Sequence, residues 1–167
     1  MSGRRPPGVE LRPWRTTDRE FLVALYATTR AEELEASGWP PAQRDAFARL
    51  QFDLQEQHYA REHPLAERSL IMVGPEPIGR LIIDRRGDEI RLVDISILPE
   101  HRGRGVGAAL IGELLAEARA TGRPTRLHVV WSNPARRLYA RLGFVQVGAT
   151  GAHLALEWRP KPAAPRF

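Results

Sequence analysis

The 167-residue chain contains no cysteine and a single lysine, Lys161. Without thiols there is no disulfide framework, no thiolate metal site and no cysteine nucleophile. No apolar run approaches the roughly 20 residues that cross a bilayer as a helix. The arginine-bearing start, MSGRRPPGVE, is followed by no apolar core of the kind that makes a secretory signal. A cytoplasmic protein with no membrane partner is the expectation. There is also no charge run of one sign. Lysine and arginine total 25 against 20 acidic residues, a net charge of +5, and the arginines are dispersed among carboxylates. Dispersal argues against a nucleic-acid-binding stripe. It leaves either attraction for a small polyanion or a plain bias towards arginine.

What is present is ordinary for a globular chain: 43% hydrophobic and 27% charged residues. The length fits one domain, expected over a core of residues 9–158 with flexible tails at 1–8 and 159–167. Val9 to Arg15 alternates like an edge strand. Thr17 and Glu20 form a T-x-x-E capping box that opens a helix, which Ser37-Gly38-Trp39-Pro40-Pro41 breaks. A second helix is expected from Ala42 to Glu62, with Phe47, Leu50, Leu54 and Tyr59 on its apolar face. Three strand runs follow, Arg68–Val73, Ile78–Asp84 and Glu89–Leu98, joined by tight turns as an antiparallel meander. A helix from Gly105 to Thr121 carries Leu110, Ile111, Leu114, Leu115 and Ala118 at helical spacing, and Gly122 ends it. Leu127–Trp131 reads as a buried strand. Asn133 and Pro134 open a short helix ending at Gly143. Strands Phe144–Val147 and His153–Trp158 close the domain. The step from strand 89–98 through the helix to strand 127–131 predicts a right-handed crossover between parallel strands.

The segment Arg102-Gly103-Arg104-Gly105-Val106-Gly107 lies between that long strand and the helix. Glycines there let the backbone turn its N–H groups outward at a helix N-terminus, which suits a phosphate, and the arginines add cationic partners. A glycine turn with solvated arginines is the competing reading. The segment is not a Walker loop, which requires lysine after the last glycine, nor a Rossmann fingerprint, which opens a parallel sheet after its first strand.

In these residues the chain resembles the GCN5-related N-acetyltransferase (GNAT) superfamily. Arg102, Gly105 and Gly107 match its Q/R-x-x-G-x-G/A motif, approached through Ile95-Ser96-Ile97-Leu98-Pro99-Glu100-His101. Ala135, Leu138, Tyr139, Gly143 and Phe144 match a second segment, A-x-x-L-Y-x-x-x-G-F, and the element order agrees from about residue 9 to 158. The resemblance implies a mixed α/β fold: a mostly antiparallel sheet of about six or seven strands, about four flanking helices and a splayed central parallel pair. It implies acetyl transfer from acetyl-CoA to a primary amine by direct attack on the thioester. Arg102, Gly103, Arg104, Gly105, Val106 and Gly107 would hold the pyrophosphate. The backbone of Ile95 and Ile97 would meet the pantetheine arm, with Ser96 and Leu98 lining the same cleft.

Tyr139 stands where the family places its general acid, and a phenol stays protonated at neutral pH; the alternative is a core tyrosine. Where the family often has a cofactor-contacting asparagine, this chain has Ser132, with Asn133 one residue later. Asn133 is a cofactor candidate that helix capping alone also explains. Asp94 lies in phase with Ile90 and Leu92, so partial burial would favour proton uptake and make it a candidate base; an ion pair is the alternative. Asp84 and His128 are weaker candidates.

No metal is implied. The acceptor is expected to be a small-molecule or peptide amine, and the resemblance implies that the first two helices and the last strands select it. These carry Trp39, Phe47, Gln51, Glu56, His58, Tyr59 and the loop near His153, although helical spacing also explains most of these aromatics as core. The expected assembly is a monomer or homodimer. A non-catalytic acyl-CoA-binding module and a basic nucleic-acid-binding domain are the competing functions.

Overall fold

Glycine and proline punctuate the chain at the points where its backbone changes direction. The computed structural model describes residues 3–162, 164 and 165. Its elements are β1 (Val9–Pro13), α1 (Arg19–Thr29), α2 (Ala31–Ala36), α3 (Pro41–Glu62), β2 (Glu67–Val73), β3 (Glu76–Arg85) and β4 (Ile90–Ile97). They continue with α4 (Val106–Thr121), β5 (Thr125–Val130), α5 (Arg136–Leu142), β6 (Val145–Thr150) and β7 (His153–Trp158). Five of the residues assigned to flexible tails, Met1, Ser2, Ala163, Arg166 and Phe167, lie outside the described residues. The strands hydrogen-bond in the order β1-β2-β3-β4-β5-β7-β6. Short turns force antiparallel pairing through the β2–β3–β4 meander, and β4–β5 is the parallel pair that the crossover predicts. Among the described residues, no helix is long and apolar enough to cross a membrane.

The chain forms two compact units. One spans residues 7–82 and 94–104, and holds β1, β2, α1 to α3, most of β3 and the C-terminal half of β4. Its core joins Leu22, Val23 and Tyr26 of α1 to Phe52 of α3 and to Leu70 and Met72 of β2. Tyr26 and Phe52 meet edge to face, 6.2 Å between centroids.

Several expectations are corrected in this unit. The first helix does not open on Thr17. Asp18 Oδ2 accepts the Arg15 N–H at 2.7 Å instead, and Glu20 pairs with Arg49 at 2.8 Å. That helix is also interrupted at Arg30, because Thr28 and Thr29 turn their hydroxyls onto the carbonyls of Leu25 and Tyr26, both at 2.6 Å. In α3 the inward stripe is Ala48, Phe52, Gln55 and Tyr59; Leu50 and Leu54 are 56% and 49% exposed. Phe47 packs on Trp39 instead, 5.2 Å between rings.

The other unit holds residues 3–6, 83–93, 105–162, 164 and 165. Here α4 buries Val106, Ala109, Leu110, Ile111, Leu114, Leu115 and Ala118, the stripe its periodicity predicts. Gly122, at φ 68°, ends α4 with its N–H on Ala118 O. β5 lies between β4 and β7. It starts earlier than expected, at Thr125, and ends before Trp131, which is 60% exposed. The parallel ladder consists of Ile90–Thr125 and Arg91–Arg126, so residues 92–97 of β4 run on beyond it. β6 carries a bulge between Gln146 and Gly148 against β7.

Candidate acyl-CoA and catalytic residues

β4 ends in a tightly tied turn. Leu98 N–H donates to Ile78 O of β3 at 2.8 Å, and a short 3-10 turn follows over Pro99–His101. Arg102 then folds back so that its Nε donates to Ile97 O at 2.8 Å. Gly103 and Gly105 take φ of 73° and 81°, with open space where a Cβ would stand. Backbone angle, not crowding, therefore requires glycine there. Gly105 is the N-cap of α4, and no side chain caps this 16-residue helix. The amides of its first turn, from Val106 and Gly107 onward, are thus left to a ligand or to water. Arg104 is exposed beside them. A helix start of this kind, opened by left-handed glycines and bordered by cations, fits an anionic phosphate group.

Asp94, on the same stretch of β4, is an ion-pair partner. Its Oδ2 accepts Arg80 Nε at 2.6 Å and the Ser96 hydroxyl at 3.0 Å. Arg80 extends from β3 to α3 as well, donating to Glu56 Oε1 at 3.1 Å and to Gln55 Oε1 at 2.5 Å. Burial pulls the Arg80 guanidinium towards losing its proton, but Asp94, Tyr59 and Glu56 outweigh it and hold it above its usual value. Burial, with the Asp94 charge, pushes the Tyr59 phenol well above its own. Gly79 permits this assembly. A Cβ there would stand 2.3 Å from Ser96 O and 3.2 Å from Ile97 Cα, so β3 and β4 approach more closely than a side chain would allow.

Tyr139 and Asn133 belong to the other unit. Tyr139 is 6% exposed, and its ring packs edge to face on Phe144 at 5.6 Å. Gly143, at φ 99°, ends α5 between them. Asn133 Oδ1 accepts the Ala135 N–H at 2.9 Å, so it caps the turn leading into α5, which begins later than expected, at Arg136. The two weaker base candidates are engaged in pairs. Asp84 is buried against Arg86 at 2.9 Å, and His128 is an exposed neighbour of Arg91 at 3.2 Å.

The sequence reading missed Arg80, Gln55 and Gly79. A charged residue inside the apolar run Ile78-Gly79-Arg80-Leu81-Ile82-Ile83 was the available signal, since buried arginines are rare without partners.

The profile of the Acetyltransferase (GNAT) family matches residues 24–144, a span that contains β4, the glycine turn, α4 and Tyr139. The chain belongs to this family. Among curated proteins it is similar to the ribosomal protein bS18-alanine N-acetyltransferase of Haemophilus influenzae, 37% identical over 90 residues. That match covers 53% of this chain and spans only 58% of the length of that relative. Among solved structures, the PaiA N-acetyltransferase of Thermoplasma acidophilum, in complex with coenzyme A, superposes with a TM-score of 0.66 at 17% identity. The alignment covers 90% of this chain and 98% of that one. An acetyltransferase from Thermus thermophilus gives a TM-score of 0.63 at 24% identity, over 91% and 96% of the two chains. At these identities the two structures speak for the fold, and the family profile for the membership.

Proposed function

We propose that the chain transfers an acetyl group from acetyl-CoA to a primary amine. The observation that carries this reading is the glycine turn between β4 and α4, inside the span that the family profile matches. The uncapped amides of Val106 and Gly107 and the left-handed Gly103 and Gly105 receive the pyrophosphate, with Arg104 as its cation. Arg102 holds the turn by its bond to Ile97 O. In this reading Ile95, Ile97 and Leu98 present the strand edge to the pantetheine arm, and Asn133 is a further cofactor contact. The bound acyl-CoA supplies an activated acyl carbon and a thiolate leaving group.

Two side chains carry the proton traffic. Asp94 accepts a proton from the attacking amine, directly or through water, as the C–N bond forms. Tyr139 donates its phenolic proton to the thiolate as the C–S bond breaks. The acceptor is a small-molecule or peptide amine. A peptide amine is favoured by the curated relative, whose name places its action on an alanine of a ribosomal protein.

The test is a thermal-shift titration with acetyl-CoA, followed by thiol release against a panel of small amines and peptide N-termini. Acetyl-CoA stabilises the fold, and Tyr139→Phe lowers kcat by about 100-fold or more with little change in the acetyl-CoA shift. No stabilisation by acetyl-CoA overturns the reading. Stabilisation without turnover on any amine favours a binding module.

A further inference from the structure

Among the side chains packed between α3 and the sheet, one cation has no part in the chemistry proposed above. Arg80 stands in the middle of β3 and is 4% exposed. Its guanidinium is divided three ways, Nε to Asp94, Nη1 to Glu56 and Nη2 to Gln55. It lies 5.9 Å from the Phe52 ring and 6.0 Å from the Tyr59 ring. Arg68 takes the other oxygen of Glu56. Two guanidinium groups thus meet two carboxylates, and the cluster is neutral overall.

A buried ion cluster is an inefficient way to fasten a helix to a sheet. Desolvation offsets most of the Coulombic attraction, and apolar side chains of similar volume hold such contacts equally well or better. What three-way bonding provides is direction. One fork arm fixes the Asp94 carboxylate, while the other two are anchored on successive residues of α3. The charges provide something else. Arg80 sets a positive charge against the Asp94 carboxylate, and Glu56 sets a negative one against another arm of the same guanidinium. Among the described residues, Asp94 meets the Arg80 guanidinium from β3 and the Ser96 hydroxyl on its own strand, feels the Tyr59 phenol of α3, and is linked to Glu56 of α3 through Arg80.

We infer that Arg80 is the positioning residue of the proposed base, aiming the Asp94 carboxylate and, together with Glu56, keeping it able to take the proton of the acceptor amine. This rests on the assignment of Asp94 in the proposed function. It makes the cluster a device with two opposed charges, and therefore with two opposed responses to mutation.

The experiment is the pH profile of kcat/KM for the wild type, Arg80→Gln, Arg80→Lys and Glu56→Gln, with the KM for acetyl-CoA followed in parallel. In Arg80→Gln the acid limb moves to higher pH by about one unit, and kcat/KM at neutral pH falls about 10- to 100-fold. The KM for acetyl-CoA stays within about twofold. Arg80→Lys keeps the charge, so its limb returns to the wild-type position while the rate recovers only in part, because a lysine lacks the fork. In Glu56→Gln the limb moves the opposite way, to lower pH. A uniform loss of rate in all variants with every limb unmoved overturns the proposal and reduces the cluster to scaffold. If Arg80→Gln does not fold, Glu56→Gln, which is nearly isosteric, decides by the sign of its displacement alone. Absence of thiol release by the wild type on every amine overturns the acetyltransferase reading itself, before any variant is compared.

Discussion

At Gly79 a methyl group has nowhere to go. Its nearest neighbour would be Ser96 O at 2.3 Å, a backbone atom that cannot rotate aside. Gly79→Ala is therefore expected to destabilise the fold by about 2–3 kcal/mol, read as a fall in Tm of about 5–10 °C. By contrast, Gly103 and Gly105 owe their identity to backbone angle, and that type of requirement leaves a trace in sequence. The turn from Arg102 to Gly107 stands out in the sequence for this reason, while Tyr139 is singled out only by the A-x-x-L-Y-x-x-x-G-F segment around it. Arg80 does not stand out, because its partners Gln55 and Glu56 lie 25 and 24 positions away and only the fold brings them together. Asp94 was legible as a strand residue in phase with the core. Its pairing with Arg80 was not.

Among the elements, α3 shows most clearly what residue pattern conceals. Its inward stripe of Ala48, Phe52, Gln55 and Tyr59 is interrupted by a glutamine, so the eye follows Leu50 and Leu54 to the wrong face. The polar member is there to meet Arg80, which means that the cluster itself masked the helix face. Phe52→Ala should cost about 3–4 kcal/mol, since it empties a site shared with Tyr26 and Leu70. Leu54→Gln should remain within about 0.5 kcal/mol of the wild type; chemical denaturation of both variants compares them directly. By contrast α4, whose N-terminal end is uncapped backbone, keeps the unbroken apolar stripe that its periodicity predicts. The break at Arg30 was hidden because the threonines that cause it act through hydroxyl bonds to the chain behind them.

For the whole molecule, the antiparallel meander and the parallel pair followed from turn lengths and from the crossover through α4. The extent of the β4–β5 ladder did not, because residue types do not report where two strands part. Charge is arranged in the same manner in both units. Asp18, Glu20 and Glu33 in one, and Glu157 in the other, are each held below the usual carboxylate range, chiefly by hydrogen bonds from Arg12, Arg49, Arg30 and Arg126 respectively. A depressed folded-state value means that the stabilisation is complete above the unfolded value of about 4 and disappears as pH falls through the folded values. Tm should therefore be level from pH 7 to about 5 and decline below about 4. In about 1 M salt the decline should be shallower, because the Debye length shrinks to about 3 Å; a scan of Tm against pH at two ionic strengths checks both statements.

The cations in all these pairs are guanidinium groups, and the one lysine, Lys161, lies past β7. A protein that works on amines with an activated acyl group is exposed at every turn to the side reaction of acylating itself. Here such damage would find almost nothing to damage: guanidinium groups do not take the acyl group, and losing the charge of Lys161 breaks none of these pairs. The electrostatic frame is built from a functional group that is inert to the proposed reaction.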